Sequence, residues 1–525
     1  VTNQINKTLK YADFSKLSPI MIRVEEDILV PDVKPDLERI LCVEGKCRLN
    51  ERSVFSGSTG IQALRIAGDL TVQVLYTAEN NSVNTLPISL ESKLPFREDC
   101  PVDVSPNGQL ILTACLNSLD AERINERKLR ITAEIKVCLR KYQDHEVNLL
   151  SDMEEDQIEC QKEELRLMDV AFRKTETIEI VEDLKLKEGD RDIDRILCYN
   201  INIVENHKQV SREKAVVNAT AYCNILYQSD DEPVFYQGRT EFTQFIKMDD
   251  DNAFNRPLIG NRVSFQVVNS TIVPKKNEMG DCILFALNMD VDTTVEYYRE
   301  LDEPMVTDLY HFNKEVEYDL DEVELTQFCG NGIYEATTRE IINIPEQYGN
   351  DTKVIYISGY PAIRKDSVEQ GKCLIEGVIP LKVICLGGEE GKTPFSLYQD
   401  LNFRGSMEIP GCRPDMETDS EVTLKEIWFD QINSRQLEVN ASIGISTNLF
   451  GQSKEKLIQS VSFLESEQTE KPKAGIVVYV ARDGDNLWKV AKRYRTSVQQ
   501  VREFNDLTDK DEIKKGTKLL IINKC

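Results

Sequence analysis

The heptapeptide Asp36-Leu-Glu-Arg-Ile-Leu-Cys42 returns as Asp192-Ile-Asp-Arg-Ile-Leu-Cys198, 156 positions further on (192 against 36). A period of that size constrains the fold more than any other feature, because each copy of a repeat must fold as the same unit. A second phrase keeps the same offset. In Leu129–Leu139, Leu129, Ile131, Ala133, Ile135, Val137 and Leu139 alternate with Arg130, Thr132, Glu134, Lys136 and Cys138. Starting at Phe285, Phe285, Leu287, Met289, Val291 and Val295 repeat that alternation. A period of two puts one apolar face on a β-sheet.

A third copy follows with small slippage. The stretch from Ile432, with Leu437, Val439, Ala441, Ile443 and Ile445, echoes the one from Ile124. Upstream of it, Lys353 stands for Arg39 and Arg195, and Val354-Ile355-Tyr356 stands for Ile-Leu-Cys. Strands running into polar turns from Leu70, Ala219 and Gly377 supply a middle landmark in each copy. The phrase marks an early strand, and its Asp and Arg read as a solvated turn pair. One-sided strands bury best in a two-layer structure. The expected fold is therefore mainly β, with three tandem β-sandwich-like repeats over 24–150, 172–300 and 336–464. Residues 1–23 read as an N-terminal extension. The acidic segments between copies, about 145–172 and 300–336, are left open as strand, helix or loop, with a short helix conceivable from Leu149 to Phe172.

A polar stretch, 465–475, contains Pro and Gly among charges and reads as a linker. The remaining residues, 476–525, follow a different pattern. Val477–Ala481 is a strand, Asp483-Gly484-Asp485 a turn, and Asp485 a candidate helix cap. Leu487, Val490, Ala491 and Tyr494 fall at i, i+3, i+4 and i+7 on one helix face. Thr496 and Gln499 have the spacing of a capping box. Val498, Val501 and Phe504 mark a second helix, and Lys518–Ile522 closes as a strand. The order is βααβ.

That segment resembles the LysM module through Tyr479, the run Gly484–Tyr494, Phe504-Asn505-Asp506-Leu507, Ile513, Gly516 and the final strand. The resemblance implies a shallow groove for N-acetylglucosamine glycans such as peptidoglycan or chitin. Its walls would be Asp485, Asn486 and Leu487 on one side and Asn505, Asp506, Leu507 and Ile513 on the other. Asn486 stands where the module usually has Thr, and Lys515 where it usually has Pro. Trp488 is expected in the module's core, between helix and sheet.

Charge and residue inventory exclude several function classes. The chain carries a net charge of −26, so duplex nucleic acid, which needs a basic face, is not an expected partner. Within it the last fifty residues are basic, with eleven Lys and Arg against seven Asp and Glu, or +4, which leaves −30 for the rest (−26 minus +4). No apolar run approaches the roughly 20 residues that span a bilayer. The first residues lack the apolar core of a secretory signal, so a cytoplasmic location is expected.

The fourteen cysteines form no C-x-x-C pair, and the three histidines lie far apart, so neither a metal site nor a cofactor is expected. Most cysteines, such as Cys138, Cys223 and Cys385, read as small buried hydrophobes. Cys525 is a candidate for intermolecular disulfides under oxidising conditions. The half-match to a phosphate loop at Gly387–Thr393 fails because Leu386 occupies the first Gly position, and the segment falls in a hairpin turn. The acidic run Lys247–Phe254 lacks the Gly and distal Glu of a calcium loop. Cys329-Gly-Asn-Gly reads as a turn. No catalytic constellation emerges, and the chain is not expected to be an enzyme.

Three β-rich repeats followed by one LysM module are similar to the SPOCS-LysM proteins, a family of spore coat morphogenetic proteins in spore-forming Firmicutes, clostridia among them. The resemblance implies a sporulation scaffold in the mother-cell cytoplasm, at the forespore surface in the spore coat. It implies docking to the coat-basement morphogenetic ATPase through the LysM module, with other coat proteins or the chain itself as further partners. The alternative is a peptidoglycan-binding protein of the cell wall or cortex.

Overall fold

The structure, a computed structural model, describes residues 3–56, 62–78, 86–101, 108–155, 157–168, 172–187, 189–211, 213–248, 258–348, 352–388, 392–464, 475–508 and 513–523. Strand accounts for 80% of it and helix for 4%, which fixes the class as mainly β.

Each repeat consists of two facing antiparallel layers of three or four strands. In the first, β1 (Asn3–Leu29), β6 (Lys128–Glu154) and β5 (Gly108–Asn125) form one sheet in the order β1-β6-β5. Its partner runs β2 (Leu37–Ser56), β3 (Gln62–Ala78), β4 (Ile88–Pro101). The inward residues of both layers, among them Ile22, Val43, Val72, Leu90, Ile131 and Ile135, share one core. All of these pairings are antiparallel, so alternate side chains face the core and solvent.

The other two repeats keep this plan. In the second, β7 (Ile158–Met168) and β8 (Phe172–Lys185) together take the place of β1, both pairing with the long β13 (Leu284–His311), which also pairs with β12 (Leu258–Lys275). The facing layer is β9 (Arg195–Val210), β10 (Lys214–Ser229) and β11 (Glu232–Lys247), with β10 in the middle. In the third, β14 (Glu315–Asn343), β20 (Gln436–Leu464) and β19 (Glu417–Asn433) form one layer. The other centres on β17 (Lys372–Gly387), flanked by β18 (Thr393–Glu408) on one edge and by β15 (Lys353–Gly359) and β16 (Ala362–Glu369) on the other.

The repeated phrase has a structural cause. Leu41 and Cys42, Leu197 and Cys198, and Ile355 and Tyr356 meet in a single buried cluster with Leu75, Leu226 and Ile384. Each repeat thus contributes the same strand position to a common centre. The polar residues of the phrase fasten turns at its edge. Arg127 donates to Asp36 at 2.9 Å, and the Asp194 carboxylate accepts the amide of Asp230 at 2.9 Å.

Residues 3–23 are not an appendage to the first sandwich but part of its sheet. Strand β1 pairs with β6 from Asn3↔Glu154 to Leu29↔Lys128 and buries Leu9, Tyr11, Ala12, Phe14 and Ile22. The acidic segments between copies are likewise strands. Among the described residues no helix forms between Leu149 and Phe172, where β6 ends and β7 lies. The far halves of the β1–β6, β7–β13 and β14–β20 pairs pack together through Leu9, Leu149, Leu167, Met305, Val323 and Leu457. Their acidic residues point outward, which hid the apolar face from a period count anchored on the sandwiches. Aromatic rings add a second layer, where Phe14 stacks on Phe450 and the hydroxyls of Tyr142 and Tyr298 meet at 2.9 Å.

Two local expectations change. The Cys329-Gly-Asn-Gly stretch is a bulge inside β14, with a register shift at Phe328/Gly330 and a φ of +147° at Gly330, because its partner β20 continues past it. Cysteines divide between environments, with Cys42, Cys198, Cys223, Cys373, Cys385 and Cys412 buried, Cys138 half-buried and Cys115 exposed. The phosphate-loop look-alike sits at the β17–β18 hairpin, where Gly387 pairs with Thr393 and a strand follows. Most of the Lys247–Phe254 run, and Cys525, lie outside the described residues.

Candidate functional site

The C-terminal module sets two helices, α1 (Leu487–Tyr494) and α2 (Val498–Phe504), on a sheet of β21 (Gly475–Val480) and β22 (Lys518–Asn523). Tyr479, Ala481, Val490, Leu519 and Ile521 form its core, with Tyr494, Leu507 and Ile513 against it. Gly484, at φ +81°, makes the turn into α1.

The cap of α1 is Asn486, one residue later than expected, and its side chain accepts the amide of Lys489 at 2.8 Å. Asn supplies the same acceptor that Thr would, so the departure from the usual motif keeps the cap. Asp485 is instead occupied by the preceding strand and turn. It accepts the Tyr479 hydroxyl at 2.5 Å and the Arg482 amide at 2.8 Å, and these bonds hold its carboxyl below the usual range. The cap of α2 is Ser497, which accepts the amide of Gln500 at 3.1 Å, again one residue later than the Thr496 spacing suggested. Thr496 is buried and donates to the Gln500 side chain.

On the opposite wall, Asn505 ties α2 to β22. Its amide donates to Val501 and Leu520 carbonyls at 2.7 and 2.8 Å, and its oxygen accepts the Leu520 amide at 2.6 Å. Asp506 is exposed in the left-handed region at φ +53°. Leu487 is buried, and Leu507 and Ile513 are half-buried. The structure therefore brings Leu487, Leu507 and Ile513 together as an apolar strip, while Asp485, Asn486 and Asn505 spend polar atoms within the module.

That strip is not bare. Leu487, Ala491 and Val501 form a cluster with Tyr310, against which Phe312, Trp488, Val498, Leu507 and Ile513 pack. Tyr310 and Phe312 belong to the end of β13 and the turn into β14, in the body of repeats. The Tyr310 hydroxyl donates to the Thr496 carbonyl at 2.7 Å, and its ring meets Trp488 edge-on with centroids 5.0 Å apart. Trp488 lies at this junction rather than in the module's core, because its indole N–H donates to Asp308 at 2.7 Å.

Lys492 also donates to Asp308, and Tyr318 donates to the same carboxylate at 3.0 Å. Partial burial opposes the Asp308 charge, but the bonds from Lys492, Trp488 and Tyr318 hold its carboxyl below the usual range. Asp308, Tyr310, Phe312 and Tyr318 were not among the site residues expected from sequence. Their signal was the aromatic run Tyr310-His-Phe312 inside a segment otherwise rich in acids.

Comparison with known proteins agrees with this architecture. A LysM domain model matches residues 479–521, and a model described as "SipL, SPOCS domain" matches residues 192–262 and 352–432. The SPOCS matches fall in the second and third repeats, and the first repeat has the same arrangement of strands. Neither curated proteins nor solved structures gave a match. Both matched domains are binding or scaffold domains rather than enzymes. Among the described residues no helix is long and apolar enough to cross a membrane. The chain thus carries two segments that match the SipL SPOCS domain, followed by a C-terminal LysM domain, the order found in a SipL-like protein.

Proposed function

We propose that this protein is a non-enzymatic scaffold for spore coat and envelope assembly, acting in the mother-cell cytoplasm at the forespore surface. Its LysM module docks onto the coat-basement morphogenetic ATPase. The observation that carries the reading is the module's free sheet face. Ile476, Val478 and Val480 project from β21 at 70%, 61% and 50% exposure, beside the half-buried Leu520 and Ile522. An apolar face of this kind on a basic module suits an acidic protein surface better than a sugar. The repeats hold the module through Asp308, Tyr310 and Phe312.

The test is capture of the purified ATPase by the intact chain and by a chain ending at residue 475. Capture that requires 476–525 supports the reading. No capture, or equal capture by both, overturns it.

The second reading, binding of peptidoglycan glycans in a cortex or wall setting, is favoured by the LysM fold itself. Retention on purified peptidoglycan without ATPase capture would establish it.

A further inference from the structure

The walls assigned to a glycan and the residues contacted by the repeats are partly the same. Leu487, Leu507 and Ile513 are the apolar part of the LysM groove, and all three pack in the cluster that holds Tyr310 and Phe312. A sugar ring seated on this strip would need the space that Tyr310 fills. The Tyr310 ring is held from two sides, by its hydroxyl on Thr496 and by Trp488. Trp488 is in turn held by Asp308, which also binds Lys492.

We propose that the end of the β13–β14 hairpin is a built-in stopper of the LysM groove: Tyr310 and Phe312 occupy the glycan strip in cis, and the Asp308 clasp on Trp488 and Lys492 keeps them there. Oligomers of β-1,4-linked N-acetylglucosamine and the hairpin then exclude each other. Residues 465–474 tether the module to β20, so the module meets the hairpin at high effective concentration and a clasp of a few contacts suffices. The groove becomes available only in the fraction of molecules whose clasp is open, and apparent glycan affinity is reduced by that fraction. The same arrangement explains how a LysM fold works among proteins without being drawn to glycans. The inference rests on the groove walls as assigned above, not on the identity of the protein partner.

The experiment compares binding of the N-acetylglucosamine hexamer to the intact chain, to Asp308→Ala/Tyr310→Ala and to Lys492→Glu, by titration calorimetry. Lys492→Glu breaks the clasp from the module side at a half-exposed position, so it tests the idea even if the double variant folds poorly. At least tenfold tighter binding by either opened chain is expected, with amide exchange at Leu507 and Ile513 quickening in parallel. Equal binding by intact and opened chains overturns the stopper, and so does no binding by any of them. ATPase capture is measured on the same proteins. No capture by the intact chain together with a gain in glycan binding on opening would sink the docking reading alone, and capture without that gain would sink the stopper alone.

Discussion

Arg140 and Glu296 occupy the same position in successive repeats, 156 residues apart, and their side chains meet in a buried pair at 3.0 and 3.2 Å. The third repeat enters the same network through Asp419, which accepts from Arg140 at 2.9 Å and from Arg262, while Arg262 also reaches Glu421 at 2.9 Å. Equivalent positions thus carry opposite charge where repeats touch. Buried ion pairs of this kind add little to net stability compared with apolar packing, but they fix which surfaces meet.

Removal of one partner leaves an uncompensated charge. Asp419→Ala is expected to destabilise the chain by about 3–5 kcal/mol. Arg140→Met, which keeps volume but loses all three bonds, is expected to weaken the contact of the first repeat with the other two. Urea unfolding followed by tyrosine fluorescence, with limited proteolysis to detect loosened repeats, measures both.

Acid should act through the same residue. Burial opposes the Asp419 charge, yet Arg262 and Arg140 hold its carboxyl at about 2, against 3.8 for an unperturbed group. The folded value lies below the unfolded one, so the contribution is complete above about pH 4 and is lost as pH falls through about 2. Wild-type minus Asp419→Asn stability, read from melting temperatures at pH 5, 3 and 2, should shrink across that window. A difference independent of pH would show that the carboxylate charge is not what stabilises the contact.

The repeated phrase makes its own prediction. Leu197 is buried in the cluster shared by all three repeats, so Leu197→Ala is expected to cost about 2–5 kcal/mol. Cys198→Ser places a hydroxyl in the same apolar centre and should also destabilise, whereas Cys115→Ser on the exposed face of β5 should be near neutral. Chemical denaturation of the three variants checks this.

In the module, Asn486→Ala removes the cap of α1 and is expected to cost about 1 kcal/mol, with Asn486→Thr recovering most of it. Asn505→Ala should cost more, because it removes two hydrogen bonds that tie α2 to β22 and a third within α2. Amide exchange of α1 and β22 in the intact chain reports each effect locally.

The sequence alone determined the number of repeats, their strand-rich character and the βααβ order of the last fifty residues. Period-two alternation in Leu129–Leu139 and period-3.6 spacing in Leu487–Tyr494 are local, and backbone geometry turns each directly into a strand or a helix. It also located the phrase that recurs, but not its purpose. That Leu41, Leu197 and Ile355 touch is a consequence of three sandwiches closing on one another, and no spacing rule encodes it. Residues 3–17 illustrate the limit, since their pairing partners lie beyond residue 138 and an isolated strand carries no mark of its distant neighbour. The same holds for the groove. Leu487, Leu507 and Ile513 were named through the resemblance to the LysM module. Only the tertiary structure set Tyr310 and Asp308 against the module, because that contact joins residues as far apart as Asp308 and Trp488, 180 positions along the chain, which no local spacing encodes.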